Sequence, residues 1–185
     1  MTFGKTTESD RAALLRLARS AIAAHVLRTE PFSLDCTGAL GRRAGAFVTL
    51  HLHGELRGCI GRVEAVEPLG QVVAECAVAA ATEDSRFPAV TPPEVSELEI
   101  EISVLGPLEL VTTADDFEVG RHGLVVSAGW QRGLLLPQVA IERRWDRATF
   151  LANTCHKAGL ARDAWKHGAE VWRFEADVFS EQKGG

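Results

Sequence analysis

Apolar residues recur at helical spacing near the start of the chain. Ala12, Leu15, Ala18, Ile22 and Val26 form one stripe, which predicts an amphipathic helix from about Ser9 to Arg28, capped by Ser9. Residues 30–45 hold a proline, three glycines and paired arginines, and read as a loop. The period then changes to two. Val48, Leu50 and Leu52 alternate, His53-Gly54-Glu55 punctuate, and Leu56, Gly58 and Ile60 alternate again, which predicts a β-hairpin. A two-residue loop would set Leu50 opposite Arg57. A three-residue loop, with a glycine for the positive-φ position, sets Leu52 opposite Leu56 and Val48 opposite Ile60. The second register is preferred, and it gathers Thr49, His51, Arg57 and Cys59 on the opposite face.

Pro68 opens a second helix, running to about Thr82, whose alanines and valines are apolar nearly all round and predict deep burial. Leu98, Ile100, Ile102 and Val104 alternate with Glu97, Glu99, Glu101 and Ser103 and give the clearest strand. Gly106-Pro107 interrupts before Leu108–Val111, and two short strands are predicted at Gly123–Ser127 and Gly133–Leu136, joined near Ala128-Gly129. A helix follows from Arg147, capped by Asp146, to Ala158, with Gly159 as its stop. Trp172, Phe174, Ala176 and Val178 form a closing strand. Paired strands with interspersed helices predict an α+β fold with a mostly antiparallel sheet.

A length of 185 residues fits one domain with room for a small lobe, and a hydrophobic content of 46% supplies a core. The net charge of −5 argues against nucleic acid as a partner, since phosphates demand a basic footprint. No apolar run has the roughly 20 residues that span a bilayer. Met1–Asp10 lacks the pattern of a secretory signal. Cys36, Cys59, Cys76 and Cys155 are scattered, with no paired spacing for zinc or for a disulfide framework. Reduced thiols and a cytoplasmic location are the expectation.

Candidate chemistry centres on Leu56-Arg57-Gly58-Cys59-Ile60-Gly61. A cysteine reacts as its thiolate, and a fixed positive charge nearby lowers its pKa. Gly58 and Gly61 would let a ligand approach the sulfur. The alternative is a thiol packed as a small hydrophobe. His51 is the local candidate base, or an ordinary strand histidine. Asp84 and Arg86 occupy the loop after the buried helix. There Arg86 can grip an anion, or the pair can hold the loop in shape. Gln138 and Glu142 share one face of a helix that begins at Pro137. Glu142 serves as general acid or base or as a metal ligand, or simply faces solvent. Cys76 and Cys155 read as core. His156, next to Cys155, points elsewhere on its helix, and His25, His122 and His167 have no partner at metal-ligand spacing, so no metal site is assigned. No glycine-rich phosphate loop is present, and no cofactor is named by the sequence.

Six segments together resemble the AMME chromosomal region domain family, whose prokaryotic members are called AmmeMemoRadiSam system protein A. They are Phe47–Leu50, Leu56–Gly61, Asp84 with Arg86-Phe87-Pro88, Glu101–Leu105, Gly133–Ala140 and Lys157–Leu160, in the family's order and spread over nearly the whole chain. The resemblance implies a larger subdomain drawn from both chain ends and a smaller one in between, with the hexapeptide near the cleft. It also implies a place beside Memo-like proteins and radical S-adenosylmethionine enzymes, and no assigned reaction. His51 and His156 fall outside the family pattern, which shifts weight to Arg57, Cys59, Asp84, Arg86, Gln138 and Glu142.

Two functional readings result. In the first, Cys59 is a nucleophile or redox thiol, Arg57 holds the thiolate or an anionic substrate, Arg86 orients the substrate and Glu142 moves protons. In the second, the chain is a non-catalytic module whose hexapeptide surface docks a partner protein or a small ligand. A purely architectural reading has Gly58 and Gly61 serving sheet packing alone.

Overall fold

The computed structural model describes residues 6–29, 33, 36–64 and 66–181. Among these are four α-helices and seven strands, paired antiparallel, which give the expected α+β fold. The chain divides into two compact units. One runs to Leu105 and resumes at Asp177; the other is Gly106–Ala176.

The first unit contains helices α1 (Glu8–Leu27) and α2 (Leu69–Thr82) and strands β1 (Ala46–Leu52), β2 (Glu55–Arg62) and β3 (Leu98–Leu105). Helix α1 is capped by Thr7, two residues before the expected cap. Thr7 and Asp10 satisfy each other's backbone N–H in a capping box, a stronger stop than Ser9 alone provides. Its buried stripe is Leu14, Leu17, Ala18, Ala21 and Ile22, rotated from the predicted one. Arg19, on the flank, donates to Glu181 and to the carbonyls of Val95 and Leu98. Helix α2 is buried on both sides, as its all-round apolar character predicts, because it packs against α1 and against β1 and β2. Of the predicted loop, residues 30–32, 34 and 35 lie outside the described set; its later part is a short 3-10 turn at Gly38–Gly41.

The hairpin departs from the preferred register. His53 (φ 54°) and Gly54 (φ 85°) make a two-residue turn with both central residues in the left-handed region, so Leu52 faces Glu55 and not Leu56. The clash that spoke against this turn, Leu50 against Arg57, is avoided by a β-bulge. His51 pairs with Leu56, Leu50 with Gly58, and Arg57 is the extra residue. Beyond the bulge Val48 faces Ile60, as expected, and both lie against the core that α2 covers.

The second unit holds β4 (Glu109–Leu110), β5 (His122–Ala128), β6 (Gln131–Leu135), helices α3 (Pro137–Glu142) and α4 (Arg147–Lys157), and the first part of β7 (Glu170–Ser180), whose last residues belong to the first unit. Strand β7 pairs with β4 and β5, and β5 with β6. Asp146 caps α4 by accepting from the Thr149 N–H, and Gly159 follows its end at φ 75°, both as predicted. The core gathers Phe117, Leu124, Val126, Phe150, Leu151 and Cys155.

Gly58 is fixed by packing. A Cβ there would lie 2.1 Å from the Ala80 carbonyl oxygen of α2, a rigid backbone atom. Gly58→Ala therefore forces α2 away from β2 and is expected to cost about 1–3 kcal/mol. Chemical denaturation checks this: the midpoint falls while the slope stays unchanged.

Candidate functional site

Strand β2 lies at the end of the strand order, with β1 as its neighbour, so alternate N–H groups point off the sheet. Thr49 and Cys59 pair across β1 and β2, and the Cys59 N–H donates instead to Asp84 Oδ2 at 2.9 Å. Asp84 follows the end of α2, and its side chain is 5% exposed. The same carboxylate accepts from Arg86 three times: from the backbone N–H (3.2 Å), from Nε (2.9 Å) and from a terminal guanidinium nitrogen (2.6 Å). The Arg86 side chain, foremost, holds this carboxyl far below the usual carboxylate range. Arg86 itself is half exposed and lies over the Phe87 ring.

Arg57, carried sideways by the bulge, makes a two-pronged pair with Glu94 (2.9 and 3.2 Å) and donates to the carbonyls of Pro88 (2.7 Å) and Ala89 (3.3 Å). Its side chain is 12% exposed. With Thr91, whose backbone N–H Glu94 also accepts, Arg57 lowers the Glu94 pKa to about 2. Arg57 thus holds the loop that leads into β3 and does not serve the Cys59 sulfur.

The thiol has a different partner. Thr49 Oγ1 donates to Cys59 Sγ at 3.3 Å. Burial pushes the Cys59 pKa up. The Thr49 hydroxyl and the Arg86 charge pull against that shift, while Asp84 and Glu101 add to it. The expected lowering by Arg57 is absent. His51 shares the face but pairs with Leu56 beyond the bulge, and it makes no hydrogen bond to Cys59 among the described residues. Gly58 and Gly61 leave no opening beside the sulfur. The first lies under α2, and a Cβ on the second would sit 2.3 Å from the Phe47 ring.

The register places Cys59, Thr49 and Glu101 in one row across three strands, with Gly61, Phe47 and Ser103 in the next. Ser103 is 1% exposed, and its hydroxyl has no hydrogen-bond partner among the described residues. Buried polar groups are nearly always paired, so this one marks a place of interest. Sequence reasoning passed over it because alternation reports a residue's face and not its bonds. It also passed over Glu94, although Thr91-Pro92-Pro93-Glu94 has the spacing of a capping box.

The Cys59 cluster is built entirely from the first unit. Gln138 and Glu142 stand on α3 of the second, four apart as predicted, with Glu142 exposed. Cys76 and Cys155 are buried with raised pKa values, Cys76 to about 11. Among the described residues no three metal-ligating side chains come together, and no helix is long and apolar enough to cross a membrane.

Residues 15–179 match the family model described as AMMECR1. The chain belongs to the AMMECR1 family. AMMECR1-family relatives include a protein of Methanothermobacter thermautotrophicus, 43% identical over 98% of this chain and 99% of its own length. Another, from Thermococcus kodakarensis, is 43% identical over 91% of this chain and 89% of its own length. Among solved structures, the crystal structure of an uncharacterised protein from Pyrococcus horikoshii superposes with a TM-score of 0.85 at 38% identity, covering 92% of this chain and 90% of that one. The α+β architecture of this AMMECR1 domain is therefore shared with an experimentally solved relative.

Replacing Asp84 by Asn puts an amide NH2 among N–H donors, and is expected to destabilise the fold by about 1–3 kcal/mol at neutral pH. Asp84 and Glu94 both titrate below their unfolded values. Their contribution is therefore complete above about pH 4.5 and is lost as pH falls towards 2. Denaturant titrations should show the gap between wild type and Asp84→Asn narrowing in acid; a gap that widens there contradicts the assignment.

Proposed function

We propose that this AMMECR1-family protein is a binding module and not a thiol-dependent catalyst, and that it docks its partner through the end strand β2, which carries Leu56–Gly61 and exposes Leu56. The observation that carries this reading is the chemistry around Cys59. Its thiol is pushed towards the neutral form, its hydrogen-bond partner is a hydroxyl, and among the described residues no histidine or carboxylate is hydrogen-bonded to it. The charged residues nearest the hexapeptide, Arg57, Asp84 and Arg86, are engaged with one another and with the adjoining loop. A nucleophile needs an activating group, whereas a docking face needs a rigid backbone and defined hydrogen-bonding atoms. Leu56, exposed at the start of β2, supplies an apolar contact. The family resemblance supports a protein partner of the Memo-like or radical S-adenosylmethionine class.

Two measurements test this reading. Alkylation of Cys59, followed by mass spectrometry across pH, is expected to show an apparent pKa above the ordinary value of about 8.5. A value clearly below it restores the nucleophile reading, with Glu142 as its proton carrier. Co-purification with a co-expressed Memo-like protein or radical enzyme is expected to survive Cys59→Ala. Loss of the complex is expected for Leu56→Asp, at the exposed start of β2, and a complex that survives in that folded variant would sink the proposal.

A further inference from the structure

Helices α3 and α4 end in the same hydrogen-bonded motif but with different residues at the strained position. In α4 the Leu160 N–H reaches the Cys155 carbonyl and the Gly159 N–H reaches that of His156, with Gly159 left-handed at φ 75°. In α3 the Trp145 N–H reaches Ala140 and the Arg144 N–H reaches Ile141, and the left-handed residue is Arg144, at φ 53°. A non-glycine residue there costs conformational energy that α4 avoids.

The surroundings give that cost a use. In the second unit Arg121, Arg147, Arg162 and Arg173 are engaged with Glu175, Asp115, Asn153 and Glu109, and Arg132 also has a partner. Arg143 and Arg144 are both exposed, and their side chains make no hydrogen bond or ion pair among the described residues. Ile141, one helical turn before, is 59% exposed, the most exposed aliphatic side chain of this unit. Glu142 precedes them in sequence, also exposed, and makes no ion pair with either guanidinium among the described residues.

We propose that the C-terminal end of α3, with Ile141, Arg143 and Arg144, is a docking surface for an acidic segment of a partner protein that also carries apolar residues. Each guanidinium can hold a carboxylate in a two-pronged geometry, and arginine together with an exposed aliphatic is the composition of an interface centre. The net charge of −5 disfavours a nucleic acid in this place, and a phosphate surface would leave Ile141 without a role. The surface lies in a different unit from the Cys59 face and stands independently of the docking role proposed there.

The test uses the full chain and a fluorescein-labelled peptide of glutamate and leucine, read by fluorescence anisotropy at low and high salt. Saturable binding is expected, weakened by salt. Arg144→Gly removes the guanidinium and relieves the backbone, so affinity should fall about tenfold while the thermal midpoint rises by about 2–4 °C. Arg28, which ends α1 at φ 54°, offers the control. Arg28→Gly should raise the midpoint and leave binding unchanged. Arg143→Gln gives a second variant with no backbone change and should also weaken binding. The absence of saturable binding overturns the proposal, as does equal weakening by Arg28→Gly. Stronger Arg144-dependent binding to single-stranded DNA, or to vesicles of phosphatidylcholine and phosphatidylserine, overturns it in favour of a phosphate-bearing partner.

Discussion

One carboxylate organises the edge of the first unit. Asp84 accepts the Cys59 N–H that the end strand would otherwise leave unpaired, and in the same stroke fixes the backbone and guanidinium of Arg86. An end strand with free N–H groups invites pairing with another chain, and a buried carboxylate seated on its centre removes that invitation. The loop after α2 is thereby tied to β2 at one point, and Arg57 ties it again at Glu94 and at the Pro88 and Ala89 carbonyls. The placement of the Cys59 sulfur, and of the face it shares with Thr49, follows from these two clamps. Both need the carboxylates ionised, which is why their pKa values are held so low.

This accounts for the character of the hexapeptide. Read as a string, a thiol two residues from an arginine and flanked by glycines suggests reactivity. In the folded chain the arginine faces a loop, one glycine makes room for a helix and the other lies beneath an aromatic ring. The thiol is left as a neutral, half-buried group beside a hydroxyl. The glycines show in particular that absence of a side chain can reflect close packing by the protein itself as readily as room for a ligand.

Much of the architecture was legible from periodicity. The buried α2, the alternation of β3, the Asp146 cap and the Gly159 stop are local signals that tertiary contacts reinforced. The register near the turn was not legible, because a bulge is a two-strand property: it depends on which residue the partner strand can best leave unpaired. The same holds for the site. The Asp84–Arg86 pair, two positions apart, was one of the readings the spacing offered, yet Cys59 and Arg57 find partners 10 to 37 positions away, and sequence spacing carries no information about such pairs. Glu94 escaped notice for that reason and Ser103 because a missing bond leaves no mark on spacing, while α1 is capped at Thr7 because a reciprocal cap outcompetes a single one.

The bulge at Arg57 has a consequence for how this hairpin can change. Because one extra residue is taken up between Leu50 and His51 on the partner strand, the tip of the hairpin and its base are out of phase with each other. The base, where Thr49 faces Cys59 and Val48 faces Ile60, is set by the core and by the Asp84 clamp. The tip at His53-Gly54 is set by turn geometry and by the pairing of His51 and Leu52 with β3. A turn of different length can be accommodated by gaining or losing the bulge, with the facing of Cys59 left intact.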